Sequence, residues 1–364
     1  MHKIRKQIGY LYTFSVLESL TLAGAWVAIL AARGFSLMEI SITETAYHIA
    51  SLIFELPSGI LADLFGRKRM LLLSVAMRML SNLAMIFSGS LASVCLSVAL
   101  TAVSDNFISG TGDALAYDSL KSVGEEAEFA RYESNQLVIY RLCGGISTLC
   151  AGAALLLGYK IVYFTSLVSA VVQMAVLLGL KEVHIQQFRA DATLWERLNQ
   201  CIRESLSFLK AGKKPMALMF ANSFVGALDV LLLFFLQAKL SERGIPQWAL
   251  GIALLFMEMG GVVGARLVLK FSRLGYRSLF LICAGVVTSG ILLEHSPAYT
   301  VMALGGFLSA AADDALQVRT NALLQDMFPS QQRATLTSVE SFSFSTVMVL
   351  LAPLAGVLFR YQCH

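Results

Sequence analysis

Long apolar runs separated by short polar turns dominate the chain. Most of the runs reach roughly 18 residues, which is enough for one helix to cross a bilayer. Breaking the pattern at charged turns and at turns that contain Gly or Pro predicts eleven spanning helices. They lie near residues 8–30, 39–60, 69–90, 92–119, 134–157, 161–180, 215–238, 247–269, 277–293, 297–318 and 335–358.

The longest polar stretch, residues 181–214, separates the first six spans from the last five. Its apolar residues fall on one helical stripe, which predicts an amphipathic helix at the membrane surface. The stripe consists of Leu194, Leu198, Ile202, Leu206 and Leu209. The pattern therefore predicts an all-α membrane protein with a six-helix bundle over 1–180, a cytoplasmic linker over 181–214 and a five-helix bundle over 215–364.

Composition supports a membrane protein. Apolar residues make up 57% of the chain and charged residues 14%, against about 25% charged in soluble domains. The net charge of +4 is small and the basic residues sit between apolar runs, so no nucleic-acid partner is predicted. The cysteines have no C-x-x-C spacing and lie mainly in apolar segments, so we expect reduced packing residues, with no disulfide, metal or cofactor.

The distribution of lysine and arginine predicts the orientation. With the N-terminus inside, nineteen of these residues fall in cytoplasmic segments, five on the opposite side and four within spans. By the positive-inside rule, the N-terminus and the long linker are cytoplasmic in a multi-pass protein of the cell (inner) membrane. The basic start M-H-K-I-R-K precedes an apolar run that is too long for a signal peptide and has no cleavage site, so we expect a first spanning helix there.

The two halves share a sequence repeat. R-G-F-S-L-M-E-I after the first span resembles R-G-I-P-Q-W-A-L after the seventh, and 32 residues separate Gly34 from Gly66 where 31 separate Gly244 from Gly275. Two helical halves related by such a repeat normally form a binding site near the midplane of the membrane. Chance similarity between apolar sequences of low complexity is the alternative.

A charged, glycine-containing motif lies between the second and third spans. It reads G-I-L-A-D-L-F-G-R-K-R from Gly59 to Arg69. Glycines permit close backbone approach, and the charges are placed to bridge neighbouring helix ends. Any short cytoplasmic loop favours cations, which accounts for Arg67 to Arg69 but not for Gly59, Asp63 and Gly66 together.

Here the chain resembles the major facilitator superfamily, whose loop motif reads roughly G-x-L-A-D-[RK]-x-G-R-[RK]; Leu64 replaces the usual cation after the aspartate. The segments E-L-P-S-G, S-G-T-G-D-A-L-A-Y-D-S-L and P-S-Q-Q-R-A-T are similar to one bacterial branch of that superfamily. The resemblance covers essentially the whole chain. It implies two six-helix bundles that rock about a central cavity.

The resemblance also implies a cytoplasmic gate. The aspartate of this motif packs against the start of the eleventh helix when such a transporter opens outward. In such a gate, we expect Arg67 to pair with Asp118 at the inner end of the fourth span. The predicted gate residues are Gly59, Asp63, Gly66, Arg67, Arg69 and Asp118.

Two features depart from the family pattern. Only Phe359 to His364 follow the eleventh span, so we expect the twelfth helix to be missing, through truncation or because it is dispensable. Proton-coupled drug antiporters of the superfamily usually carry an arginine midway along the fourth helix. Aligning their R-x-x-Q-G-x-G pattern here places Asn106 at that position, so the usual proton-relay residue is absent.

Ionisable residues inside the spans are the candidate functional groups, because a charge at the bilayer centre costs at least about 2.5–3.5 kcal/mol. Glu18 and Asp229 occupy equivalent positions of the repeat, 16 residues before Gly34 and 15 before Gly244. A fixed, hydrogen-bonded acid is the alternative for each. Asp105, the acid of the fourth span nearest the midplane, is the third candidate, and Arg78 is among its possible partners.

The second span places Glu44, His48 and Glu55 on one helix face. An imidazole with a pKa of about 6.5, one turn from a carboxylate, is suited to relay a proton. A structural histidine is the alternative. The predicted substrate- and proton-binding residues are therefore Glu18, Asp229, Asp105, His48 and Glu44.

These features predict a monomeric secondary transporter that works by alternating access. The intramembrane acids favour proton-coupled efflux of a small amphipathic or cationic molecule, that is, an antiporter, with the lipid bilayer as its surroundings. A metabolite uniporter or importer is the alternative on the same scaffold. The motifs H-E-x-x-H and G-x-S-x-G, the P-loop and metal-binding spacings are absent from the sequence, so neither an enzyme nor an ATP-driven pump is predicted.

Overall fold

The chain folds almost entirely into helices in a computed structural model. The structure contains no strand in the residues that it describes. These are residues 2–109, 111–125, 128–182, 195, 196, 199, 203, 207, 213–242, 245–271, 273–327 and 333–360. The predicted amphipathic helix of the linker lies mostly outside this described part.

The first half of the chain contains nine α-helices and a short 3-10 helix, Leu22–Ala25, over the residues described there. The α-helices are α1 (His2–Ser19), α2 (Trp26–Ala32), α3 (Leu37–Phe65), α4 (Arg67–Ile86), α5 (Leu91–Ile108), α6 (Thr111–Lys121), α7 (Phe129–Leu149), α8 (Ala151–Leu157) and α9 (Tyr159–Leu178).

The second half contains five long helices in its described part. They are α10 (Lys213–Glu242), α11 (Gln247–Lys270), α12 (Tyr276–Leu293), α13 (Tyr299–Met327) and α14 (Arg333–Arg360). Each of the eleven spans predicted from the sequence falls on one of these helices or on a broken pair, so the apolar pattern predicted the helices correctly.

Seven of the helical stretches that the structure describes are long and apolar enough to cross a membrane, and a bent pair brings the number to eight. The bent pair is α7 and α8, which meet at an angle of 50°. The other three predicted spans coincide with α3, α13 and α14, of 29, 29 and 28 residues, each long enough to cross a bilayer. The chain is therefore a multi-pass membrane protein.

The breaks inside three predicted spans were not predicted. Ser147 binds free backbone groups at one of these breaks, between α1 and α2. The Ser147 hydroxyl accepts a hydrogen bond from the Thr21 N–H at 3.0 Å and donates one to the Ser19 carbonyl at 3.1 Å. An apolar pattern does not predict such breaks, because hydropathy depends on side-chain polarity and contains no information about hydrogen bonds that replace the helical ones.

The chain forms two compact units that are not contiguous in sequence. The first unit comprises Met1–Gly24, Ala46–Cys150 and Leu157–Ile202. In its core, α1, α4, α6, α7 and α9 bury a common set of apolar side chains. This set includes Leu11, Phe14, Leu71, Val75, Leu115, Tyr132 and Leu177.

The second unit comprises Ala25–Thr45, Ala151–Leu156 and Arg203–His364. Within it, α2 packs against α10, where the Trp26 and Phe234 rings meet edge to face with centroids 5.1 Å apart. The turn after α2 and the start of α3 therefore belong with the C-terminal helices in this unit. The predicted domain boundaries at residues 180 and 215 stay a prediction.

Glycines allow α11 and α13 to approach each other closely in the second unit. A Cβ atom on Gly260 would overlap the Phe307 carbonyl oxygen, and one on Gly264 would overlap that of Ala311. The two glycines lie four residues apart on the same face of α11. Small residues at this spacing are typical of helix interfaces in membranes, where packing replaces the hydrophobic effect.

Candidate functional site

Four polar side chains from four helices meet in the first unit. Arg78 of α4 forms an ion pair with Asp105 of α5, through Nη2 and Oδ1. The same Nη2 lies 3.8 Å from Oε1 of Glu18 on α1. From α3, the Tyr47 hydroxyl donates a hydrogen bond of 2.8 Å to Oδ2 of Asp105. We call these four residues the Arg78 cluster.

Each of the four helices contributes one polar residue of the cluster from a largely hydrophobic stretch. A guanidinium stays protonated in proteins, so Arg78 needs an acid nearby in a low-dielectric setting. Asp105 supplies that acid and uses both of its oxygens, one for Arg78 and one for Tyr47. Glu18 is the more distant partner and is held less tightly.

The charged side chains of the Arg78 cluster are partly exposed. The side chains of Arg78, Glu18 and Asp105 keep 25%, 31% and 32% of their surface exposed. With both acids ionised, the cluster carries two negative charges and one positive charge. One proton, or one monovalent cation bound beside Glu18, would neutralise it.

The sequence predicted Glu18 and Asp105 and named Arg78 as a possible partner, and the structure brings these three together. The sequence did not predict Tyr47 as a member of the cluster, because a tyrosine in an apolar helix is a common packing residue. The available signal was its place on α3, next to His48. Whether these residues bind a substrate or a proton stays a prediction.

His48 and Asn106 lie close to the cluster on α3 and α5. His48 is 5% exposed, and its ring meets the Tyr47 ring edge to face with centroids 5.1 Å apart. Asn106 donates to the Ser51 carbonyl at 2.9 Å and accepts from the Ser51 hydroxyl at 3.2 Å. Asn106 therefore joins α3 and α5 through Ser51.

Glu44 belongs to the second compact unit, whereas His48 belongs to the first. Glu44 is 7% exposed and lines a narrow groove with mainly apolar side chains of α2, α3 and α10. The other lining residues are Val27, Leu37, Ile40, Ser41, Leu231, Phe234 and Phe235. The predicted proton relay between Glu44 and His48 stays a prediction.

The turn between α3 and α4 contains a second polar network. Arg67 forms the ion pair with Asp118 that the sequence predicted. Glu182, two residues into the predicted linker, accepts hydrogen bonds of 3.0 Å from the backbone N–H groups of Arg67 and Lys68. Glu182 thus binds the first turn of α4, where unpaired N–H groups and the positive end of the helix dipole favour a carboxylate.

Lys68 binds the C-terminal end of a helix, whereas Glu182 binds an N-terminal end. Its ammonium donates hydrogen bonds of 2.9 and 2.5 Å to the carbonyls of Leu178 and Leu180, at the C-terminal end of α9. A cation is favoured there for the same dipole reason. The sequence did not predict Glu182, which is an ordinary acid in a polar stretch until the fold places it beside α4.

Two gate residues lie outside the part of the chain whose side chains are described. They are Gly59 and Asp63, although α3 includes their backbone. The side chains at the start of α14 are likewise outside the described part, so the contact predicted for Asp63 stays a prediction. Arg69 is exposed on α4.

The second unit contains its own acidic residues. Asp229 on α10 lies within electrostatic range of Asp313 and Asp314 on α13. Glycines make room for these acids, since a Cβ on Gly226 would lie 3.2 Å from Asp313 Oδ1 and one on Gly261 would overlap Asp314 Oδ2. No group of His, Cys, Asp or Glu in the described part of the chain is arranged to hold a metal ion.

The sequence profile described as "Major Facilitator Superfamily" matches residues 8–353. The chain belongs to this family. A Bacillus subtilis (strain 168) protein described as "Uncharacterized MFS-type transporter YxaM" is 25% identical over 361 residues, which span 95% of this chain and 88% of that protein.

Solved structures of transporters share the fold. The nucleoside transporter NupG has a TM-score of 0.74 at 14% identity, covering 98% of this chain and 91% of that chain. A D-xylose–proton symporter has a TM-score of 0.68 at 10% identity, with 96% and 89% covered. A bacterial homolog of the human lysosomal transporter Spinster, occupied and facing inward, has a TM-score of 0.73 at 14% identity, with 96% and 80% covered. At these identities the similarity shows the fold alone.

Proposed function

We propose that the chain is a proton-coupled secondary transporter that exports a small amphipathic or cationic molecule across the cell (inner) membrane by alternating access. Its N-terminus is cytoplasmic and it acts as a monomer. The observation that carries the proposal is the Arg78 cluster, in which Glu18 and Asp105 share a single arginine.

The charge balance of the cluster supports coupling to a cation or a proton. Two acids and one guanidinium leave one negative charge in excess, and an uncompensated charge inside a membrane protein is costly. Protonation of one acid removes that excess, and a bound cationic substrate does the same. Because both neutralise the same charge, the proton and the substrate compete, as exchange requires.

The geometry supports Glu18 as the exchangeable acid. Asp105 has two close partners, whereas the Arg78 atom nearest to Glu18 is 3.8 Å away. A carboxylate with fewer hydrogen bonds loses less when it binds a proton. Asp105 therefore holds Arg78 in place while Glu18 changes its charge state.

A change of charge at this point is able to shift a conformational equilibrium. The four cluster residues lie on α1, α3, α4 and α5, so weakening one ion pair alters how these helices are held together. A ligand shifts the equilibrium between two conformations only to the extent that its affinities for them differ. The membrane potential supplies about 2.3 kcal/mol per charge per 100 mV, enough to drive such a cycle without ATP.

The second candidate is a uniporter or importer of a polar metabolite. The Tyr47 hydroxyl, the Arg78 guanidinium and the two acids are suited to hydrogen-bond a solute that is rich in hydroxyl groups. Two proteins of the same fold are named as a nucleoside transporter and a D-xylose–proton symporter. A substrate panel that includes both kinds of solute separates this candidate from efflux of a cation.

The experiment is transport by purified protein in liposomes under an imposed pH gradient. The probes are ethidium, uridine and D-xylose, each tested with and without the gradient. We expect movement of ethidium that depends on the gradient, and loss of that dependence in Glu18→Gln and Asp105→Asn. Glu128→Gln is the control, because that exposed acid pairs with Arg131 outside the cluster.

The other outcomes each decide something. Transport of uridine or D-xylose but not of ethidium would favour the second candidate. Wild-type behaviour of both cluster variants would contradict a role for the cluster in coupling. Absence of transport for all three probes would contradict the substrate classes proposed.

A further inference from the structure

Glu294 is a buried acid that the proposed transport site does not use. It follows α12 directly, one residue beyond the apolar span Tyr276–Leu293. Only 1% of its surface is exposed, and neither carboxylate oxygen has a hydrogen-bond partner in the described residues. An ionised carboxylate in this setting is desolvated without any donor to offset the cost.

Helix α13 encloses Glu294 from one side. A Cβ on Gly305 would lie 3.5 Å from the Glu294 Cγ, and a Cβ on Gly290 would overlap the Ser309 hydroxyl. Gly290 and Glu294 are one turn apart at the end of α12, as Gly305 and Ser309 are on α13. The Ser309 hydroxyl is also fully buried without a hydrogen-bond partner in the described part.

Helix α10 provides the charges that act on Glu294. The Lys239 ammonium lies 3.5 Å from the Glu294 backbone carbonyl and 4.6 Å from the centroid of the Phe235 ring. Among the described residues, the charges of Lys239 and Asp229 act on the Glu294 carboxyl. Asp313 and Asp314 of α13 act on Asp229, and the neighbouring His295 is exposed and contacts the Ile291 carbonyl.

We propose that Glu294 is a proton-binding site of the second unit, protonated at neutral pH, and that its proton takes part in the transport cycle. The participation in transport rests on the proposed function. A neutral carboxyl avoids the free-energy cost of burying an ionised carboxylate that has no hydrogen-bond donors. The O–H of the neutral carboxyl is itself a donor, in a region where the Ser309 oxygen lacks a partner among the described residues. A proton suits the site better than a metal ion, because the described residues include no group of His, Cys, Asp or Glu arranged to hold a metal ion.

The charge environment supports this assignment. Burial raises the pKa of Glu294 to about 10, with Lys239 opposing the rise and Asp229 adding to it. A raised pKa means that the acid keeps its proton through neutral pH and loses it only as the pH rises towards that value. Movement of Lys239 closer to the carboxyl would favour release of the proton, so the distance between α10 and α12 is able to control occupancy.

The decisive measurement is an infrared titration of the purified full chain. A protonated carboxyl has a C=O stretching band that an ionised carboxylate lacks. We expect the difference between wild type and Glu294→Gln to contain this band at neutral pH, and the band to disappear in wild type with a midpoint near 10. Glu128→Gln, which alters an exposed acid, is the matched control and should leave the band unchanged.

Lys239→Met provides a test that keeps Glu294 intact. Removing the positive charge should move the midpoint of the titration to higher pH, because Lys239 favours the ionised form. Identical spectra for wild type and Glu294→Gln at neutral pH would overturn the proposal. An unshifted midpoint in Lys239→Met would overturn the assignment of the band to Glu294.

The transport arm uses the probe that the wild-type protein moves in liposomes. We expect Glu294→Gln to lose the response to the pH gradient while its folding, judged by size exclusion, stays like wild type. A full response would overturn the part in transport. Failure of the proposed function is distinguishable, since wild type would then show no movement of ethidium that depends on the gradient, while the infrared result still decides the proton site.

Discussion

Glu182 accepts hydrogen bonds from the backbone N–H groups of Arg67 and Lys68, each at 3.0 Å, across 115 and 114 residues of sequence. The carboxylate thereby ties the first residues after α9 to the N-terminus of α4. Together with the pair between Arg67 and Asp118, it connects this turn to two other elements of the first unit.

Glu182→Gln should lower the stability of the protein by about 1–2 kcal/mol, because a charge-assisted acceptor at a helix N-terminus is replaced by a neutral one. Thermal unfolding in detergent measures this. Glu128→Gln changes an exposed acid and serves as the control. Equal unfolding temperatures in wild type and Glu182→Gln would show that the contact contributes nothing to stability.

Gly66→Ala should destabilise the same turn for two reasons. Gly66 has a φ of +92°, which costs an alanine about 1–2 kcal/mol, and the new Cβ would lie 2.6 Å from Glu182 Oε2. Gly89→Ala is the matched control, because a Cβ on Gly89 would meet nothing within 4 Å and the φ of Gly89 lies outside the left-handed region. If displacement of Glu182 contributes to the loss of stability, the double variant with Gly66→Ala and Glu182→Gln should lose less stability than the sum of the losses in the two single variants.

The Gly66 turn also shows how far the sequence repeat extends. The repeat places Gly275 at the corresponding turn of the second half, but Gly275 has a φ of −66°, in the extended region. Sequence spacing alone could not distinguish these two conformations. Arg67, the residue after Gly66, binds Glu182 through its backbone, and this contact depends on the fold of the whole first unit.

Hydropathy predicted the helices well and the polar contacts in part. All eleven predicted spans fall on helices or broken pairs of helices, because burying a backbone in lipid requires a helix, which leaves a long apolar run in the sequence. The ionisable residues Glu18, Arg78 and Asp105 were visible as exceptions within those runs. Tyr47 and Glu294 were not, since one resembles a packing residue and the other lies at the end of a span, where acids are common.

Gly264→Ala should separate α11 from α13 and lower the unfolding temperature. The new Cβ would overlap the Ala311 carbonyl oxygen, and backbone atoms cannot rotate away as a side chain does. Overpacking of this kind costs about 1–3 kcal/mol. Gly285→Ala on α12, where a Cβ meets nothing within 4 Å, is the control. Unfolding of both variants at the wild-type temperature would contradict close packing of α11 on α13.

The pair between Arg67 and Asp118 should show measurable coupling in a double-mutant cycle. Both side chains are largely buried, with 22% and 12% of their surface exposed, so removing one charge leaves the other poorly compensated. We expect Asp118→Asn and Arg67→Gln to destabilise separately, and the double variant to cost about 1–2 kcal/mol less than their sum. Strict additivity in thermal unfolding would show that the pair is not formed in solution.

Tyr47→Phe tests whether the Arg78 cluster acts in transport or only in folding. The substitution removes the 2.8 Å hydrogen bond to Asp105 and keeps the ring that contacts His48. A lost hydrogen bond at a partly exposed site costs about 1 kcal/mol of stability, so the variant should fold. With the Tyr47 hydroxyl gone, Arg78 is the remaining partner of Asp105 among the described residues, and Arg78 is then less available to Glu18.

We therefore expect Tyr47→Phe to change how the transport rate depends on the pH gradient, while its unfolding temperature stays close to that of wild type. Transport in liposomes and thermal unfolding in detergent measure the two effects separately. Tyr140→Phe alters an exposed tyrosine of α7 and controls for loss of a hydroxyl. An unchanged response to the gradient in Tyr47→Phe would assign the cluster to structure, because a purely structural hydrogen bond affects stability without affecting coupling.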